Sequence, residues 1–121
     1  MNNFNYLESY LHDHRIGVLI EVELTSEISS RVPEIRALAI DLAMHIAACN
    51  PKDGAELFSQ GYVKEPEKTV SELMDEVCQL VGEPIRVARF VRWDIKKKDP
   101  ANDDPPPREP ANVIRLNTVT R

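Results

Sequence analysis

The chain has 121 residues, 42% hydrophobic and 29% charged, which fits one small domain able to bury roughly two-thirds of its unfolded surface. No apolar run approaches the ~18 residues of a membrane-spanning helix, and Met1-Asn2-Asn3-Phe4-Asn5-Tyr6 lacks the basic and apolar segments of a secretory signal, so a cytoplasmic protein without a membrane partner is expected. The formal net charge is -5, but six of the 15 Lys/Arg and four of the 20 Asp/Glu lie in 96–121, leaving nine basic and 16 acidic residues in 1–95; such an acidic body repels phosphate backbones and argues against nucleic acid as a partner.

In chain order, residues 5–11 and 15–24 read as two strands separated by the polar turn His12-Asp13-His14. The second strand is the clearer one: Ile16, Val18, Ile20, Val22 and Leu24 alternate in period two, with Leu19 the only apolar intruder on the other face. Thr25-Ser26 offers a strand end and a helix cap. From Pro33 to about Cys49 the spacing of Ile35, Leu38, Ala39, Leu42, Ile46 and Ala47 predicts an amphipathic helix, which Asn50-Pro51-Lys52-Asp53-Gly54 breaks. A loop is expected to about Lys68.

Thr69 and Glu72 then form a Thr-x-x-Glu capping box ahead of a second helix with the apolar stripe Val70, Leu73, Val77, Leu80 and Val81, stopped by Gly82. Ile85 to Ile95 returns to period two, with Ile85, Val87, Arg89, Val91 and Trp93 on one side and Arg86, Ala88, Phe90, Arg92 and Asp94 on the other. These elements predict an α+β fold, an antiparallel sheet of about three strands packed against helices. Residues 1–95 form this core. Residues 96–121 form a second region: Lys96-Lys97-Lys98, a stretch with five prolines, and Val113–Val119, which either remains flexible or docks on a sheet edge or partner.

No chemistry declares itself. His12 and His14 flank Asp13 but have no third or fourth ligand in a recognisable position, so a solvated turn is the simpler reading and no metal site is expected. Cys49 and Cys78 are 29 residues apart without a Cys-x-x-Cys motif, and read as buried small apolar groups. There is no Gly-rich phosphate loop, no Gly-x-Ser-x-Gly and no triad, so neither a cofactor nor an enzyme active site is expected. Glu21 with Glu23, and Glu72 with Asp75 and Glu76, read as solvated faces. The residues alone describe a small α+β binding domain.

Five blocks carry the reading further. Arg15-Ile16-Gly17-Val18-Leu19-Ile20-Glu21-Val22 followed by Leu38-Ala39-Ile40-Asp41-Leu42-Ala43-Met44-His45-Ile46-Ala47-Ala48 resembles the core of the translation elongation factor Ts family, an RIGVLVEV-type strand ahead of an AxDxAMHIAA helix. Gln60-Gly61-Tyr62-Val63-Lys64, Lys68-Thr69-Val70-Ser71-Glu72-Leu73, and Gly82-Glu83-Pro84-Ile85 with Arg89-Phe90-Val91-Arg92 are similar to later blocks of that family in the same order. The resemblance implies a three-stranded sheet with helices and a guanine-nucleotide exchange partner of an elongation factor Tu-type GTPase. It also implies a homodimer, since single-core members pair two chains.

The departures are equally specific. The family's N-terminal helical domain has no counterpart ahead of this core, and the coiled-coil insertion after the AMHIAA helix is reduced to Pro51-Lys52-Asp53-Gly54-Ala55-Glu56. The TDFV-type wedge aligns with Ser26-Glu27-Ile28-Ser29, and Arg31 is retained beyond it; Glu27 keeps the charge one methylene further out and Ile28 lacks the aromatic ring. By the same resemblance Arg15, Ile16, Gly17 and His45 face the partner, although Ile16 also fits a core position, Gly17 a close-packed strand glycine and His45 a polar helix residue. The implied function is docking on the GTPase with weak or accessory exchange; the alternative is a structural or regulatory module that keeps the fold for another partner.

Overall fold

The computed structural model describes residues 3–95; the expected linker and tail, 96–121, lie outside the described residues. Strands β1 (Phe4–His12) and β2 (Ile16–Leu24) form a hairpin. Asp13 and His14 both have positive φ, the backbone of a primed turn whose twist matches that of the flanking strands, and Arg15 N–H closes the turn on the His12 carbonyl at 3.0 Å. A short 3₁₀ turn (Ile28–Arg31) leads to helix α1 (Pro33–Cys49), followed by α2 (Gly54–Ser59), the small strands β3 (Gly61–Tyr62) and β4 (Glu65–Thr69), α3 (Val70–Val81) and β5 (Arg86–Asp94). The main sheet has the order β1-β2-β5 with both pairs antiparallel, as the alternation predicts.

β2 is central, and its alternation decides the architecture. Ile16, Val18, Ile20, Val22 and Leu24 are all buried and point to the side covered by α1. The helix presents Ile35, Leu38, Leu42 and Ile46, and the buried Ala39, Ala43 and Ala47, spaced four apart on one face, let it approach closely. Val32, not Thr25 or Ser26, precedes α1, with no side-chain cap; Pro33 starts it because the first helical turn has no use for its missing N–H. The Thr69–Glu72 box caps α3 reciprocally, with Thr69 Oγ1 accepting from Glu72 N–H and Glu72 Oε1 accepting from Thr69 N–H, and Gly82 ends it at φ 76°.

Three expectations change. The loop between α1 and α3 contains α2, capped by Asp53, whose Oδ1 accepts from Glu56 N–H at 2.9 Å, and the β3–β4 hairpin. That hairpin needs Gly61, since a Cβ there would lie 2.7 Å from the Pro66 carbonyl oxygen. On α3, Met74 is buried and Leu80 is 69% exposed, so the stripe turns toward Met74. In β5 the pairing passes from Glu21↔Arg89 to Val22↔Val87, leaving Ala88 as a bulge. Val87 therefore shares the inner face with Phe90, Arg92 and Asp94, while Arg89, Val91 and Trp93 point outward, and the single alternation expected for this strand does not hold along its length.

The faces make a direct prediction for urea unfolding. Leu42→Ala, at the α1–sheet contact, should lose about 2–5 kcal/mol, and Leu80→Ala should stay within about 0.5 kcal/mol of the parent; comparable losses would contradict the assignment of faces.

Candidate partner-binding surfaces

The eight residues expected to meet a partner fall into two groups at opposite ends of β2. That strand has nine residues, so the groups are separated by roughly 30 Å at about 3.3 Å per residue. They are two surfaces and not one site.

At the first end, Arg15 follows the β1–β2 turn, Ile16 points inward and Gly17 outward. Ile16 is 5% exposed and His45 0%, so of these two only Ile16 offers any surface at this end of the strand. His45 Nδ1 accepts from the Val63 backbone N–H at 3.1 Å, which requires that nitrogen to be unprotonated; Nε2 therefore carries the hydrogen and donates to Gln60 Oε1 at 2.8 Å. The imidazole thus ties α1 to the β3–β4 hairpin, with the Tyr62 ring centroid 6.0 Å away. Burial raises the Tyr62 phenol well above its ordinary range, with Asp41 adding to the effect.

His45 shapes a surface through Val63. A cleft of about 520 Å³ opens between the β1–β2 turn, the last turns of α1 and the β3–β4 turn, lined among others by Arg15, Ile16, Met44, Ala47, Val63 and Lys64. Arg92 forms part of the wall and donates from Nε and Nη2 to the Ala47 carbonyl at 3.2 and 3.0 Å, satisfying one of the acceptors near the C-terminal end of α1. At Gly17 an added Cβ would meet only Leu11 Cδ1 at 3.9 Å. Packing among the described residues therefore does not demand a glycine between the register partners Leu11 and Trp93.

At the second end, the 3₁₀ turn carries Ile28 out into solvent, 75% exposed, with Glu27 and Arg31 paired at 3.5 Å beside it. The turn is held from below by a residue that sequence reasoning left without a role, Glu83. Its Oε1 accepts from both Ser29 Oγ and Thr25 Oγ1, and Ser26 Oγ lies 3.2 Å from Ser29 Oγ. The Gly82-Glu83-Pro84 block was the available signal: Gly82 ends α3 and delivers the carboxylate under the turn. Among the described residues no group of three or more His, Cys, Asp or Glu could hold a metal ion, and no helix is long and apolar enough to cross a membrane. The expected partner-binding residues thus lie in two separate regions, one at each end of β2.

Hydrogen bonds from Ser29 first and Thr25 second hold the Glu83 carboxyl below the usual carboxylate range. A depressed acid contributes stability that is complete above its unfolded pKa, about 4.3, and is lost as pH falls through the folded value. The parent's urea stability should therefore fall more steeply than that of Glu83→Gln between about pH 5 and pH 3, and parallel curves would show that Glu83 does not anchor the turn.

Comparison with known proteins agrees with the blocks. Residues 1–56 match the family described as Elongation factor TS. Elongation factor Ts of Rubrobacter xylanophilus is 29% identical over 74% of this chain and 69% of its own length; that of Pseudothermotoga lettingae is 32% identical over 72% and 67%; that of Acetivibrio thermocellus is 27% identical over 77% and 66%. The chain spans about two-thirds of the length of these relatives. With the three-stranded antiparallel sheet, the helix laid across it and the shared segment order, this chain belongs to the elongation factor Ts family.

Proposed function

We propose that this chain is a cytoplasmic protein-binding factor that docks on an elongation factor Tu-type GTPase during translation elongation and has weak or accessory guanine-nucleotide exchange activity. The observation that carries this reading is the turn at the end of β2. Ser26, Glu27, Ile28 and Arg31 stand on a projecting support braced by Glu83, in the place where the family resemblance puts its wedge. The support is kept and its tip is altered. Exchange requires the nucleotide-free partner to be bound better than the loaded one, and an aliphatic tip without an aromatic ring reduces the contact area available for that difference.

Labelled GDP release from the GTPase tests the proposal. The chain should bind while accelerating release only slightly, and the Glu27→Asp, Ile28→Phe double variant should accelerate it about tenfold further. Strong binding with an unchanged rate in the double variant would refute the role given to the tip. Neither binding nor release would favour the other reading, a structural or regulatory module serving a different partner.

The second part of the proposal is a homodimer formed through the outer face of the main sheet. Register places Leu11, Gly17 and Trp93 in one row and Ser9, Leu19 and Val91 in the next, while Leu7 pairs with Glu21 opposite Arg89. Leu7, Leu11, Leu19, Val91 and Trp93 are exposed, Trp93 at 56%, and form one contiguous apolar area. The other half is polar, with Arg89 on Glu21 and Arg86 on Glu23. A self-complementary patch of this kind suits two-fold pairing. Sedimentation should give twice the chain mass for the full chain and the single-chain mass for Leu19→Glu, whose side chain lies outside the core; a full chain that remains single at about 100 μM would rule out the dimer.

A further inference from the structure

The main sheet has two open edges, and they differ in kind. β5 carries Arg86, Arg89 and Arg92 and a bulge at Ala88, features that discourage a further strand. β1 carries none of them. Its nine residues, Phe-Asn-Tyr-Leu-Glu-Ser-Tyr-Leu-His, contain no Lys, Arg or Pro, and its pairing with β2 runs unbroken from Phe4↔Leu24 to His12↔Ile16. No described element pairs with the other side of β1, so its outward N–H and C=O groups form a regular template for another strand. Glu8, opposite the buried Ile20, lies on the inner side of this edge. Its carboxylate accepts from the Tyr6 hydroxyl at 2.7 Å and from the Ser9 N–H at 3.1 Å, both neutral donors, and is in no ion pair among the described residues.

We propose that residues 113–119 of the same chain, which lie outside the described residues, add to β1 as a fourth, antiparallel strand with Arg115 opposite Glu8. The segment Val113-Ile114-Arg115-Leu116-Asn117-Thr118-Val119 is rich in β-branched residues and, in this register, its seven residues run against residues 4–10. Ile114 then faces Ser9 and Leu116 faces Leu7 on the outer side, extending the exposed apolar area of Leu7, Leu11 and Leu19. On the inner side Val113, Asn117 and Val119 face the half-buried Tyr10, Tyr6 and Phe4. A slip of one residue would turn Arg115 to the outer face, and a slip of two would keep the faces but take the guanidinium away from Glu8.

Direction and reach also favour this occupant. Asp94, the last residue of β5, is level with Ile16 and through it with His12, so the chain leaves the sheet at the end where β1 finishes. A segment that starts there and runs back along the edge is antiparallel to β1. The place beyond β1 is three strand spacings from β5, about 14 Å. The 17 residues of 96–112 are ample for that distance, since even a proline-rich chain extends about 3.1 Å per residue. The resulting order, with the new strand beside β1, is the 4-1-2-3 arrangement of a Greek key. Tethering presents this segment to the edge at roughly millimolar effective concentration, an advantage that a free peptide lacks. The outer face stays open to the two-fold pairing proposed above.

Amide hydrogen exchange on the ¹⁵N-labelled full chain provides the test. A Leu116→Pro, Asn117→Pro double variant removes a ladder donor whichever of the two adjacent positions faces β1, and leaves the α1–sheet core untouched. The alternate amides of β1 that do not bond to β2 should exchange about tenfold or more slowly in the parent than in this variant, with the amides of β2 unchanged. Arg115→Glu should lose most of that protection, and Glu8→Arg combined with Arg115→Glu should restore it. Edge amides that exchange equally fast in the parent and the proline variant would overturn the proposal, and so would protection that is indifferent to Arg115→Glu. Protection should also be unchanged on about twentyfold dilution, as a tethered contact requires, and in Leu19→Glu. A loss on dilution would mean that the strand comes from a second copy, and would overturn pairing within one chain.

Discussion

The contact between β2 and α1 is the constraint from which the rest of the structure follows. Five alternating residues of β2 are buried beneath a helix whose alanines allow close approach, and period two leaves the other four residues of the strand no freedom to choose their side. That single packing decision leaves the outer face of the sheet uncovered by any described element. It also places the β1–β2 turn at one end of the strand and the Ser26–Arg31 turn at the other. The candidate surfaces are consequences of how the core is built.

Much of this was legible because local signals and burial agreed. The alternation in β2, the periodicity of α1 and the reciprocal cap at Thr69 each have one cheap structural solution, and the molecule uses it. The segment 50–68 was harder. Asp53 with Glu56 was a usable start signal for α2, but six residues are too few to display a helical period, and β4 contains Pro66 and scarcely any apolar side chain. The bulge at Ala88 was invisible because it is set by pairing with β2 and not by the composition of β5.

The candidate surfaces were legible in part and for a related reason. Arg15 and the exposed turn with Ile28 were placed at surfaces. His45 was expected to face the partner too, although its spacing from Leu38, Leu42 and Ile46 puts it on the buried face of α1, where its imidazole takes the partners that Val63 and Gln60 provide. Glu83 was overlooked because its role joins residues 54 and 58 positions apart, a relation that no local pattern encodes. Side chains that hold a surface in place are therefore harder to read from one sequence than those that form it.

The bulge in β5 gives chain length itself a function. Beyond Ala88, Phe90 turns inward and Arg92 reaches the end of α1, while Val91 and Trp93 turn outward. Were Ala88 to take a place in the ladder instead of bulging out of it, strict alternation from Val87 would reverse the parity of everything after it: tryptophan would be driven beneath the helix, and arginine and aspartate would be lifted away from the cleft. Absorbing one surplus residue at a single point lets the two halves of the strand keep their faces.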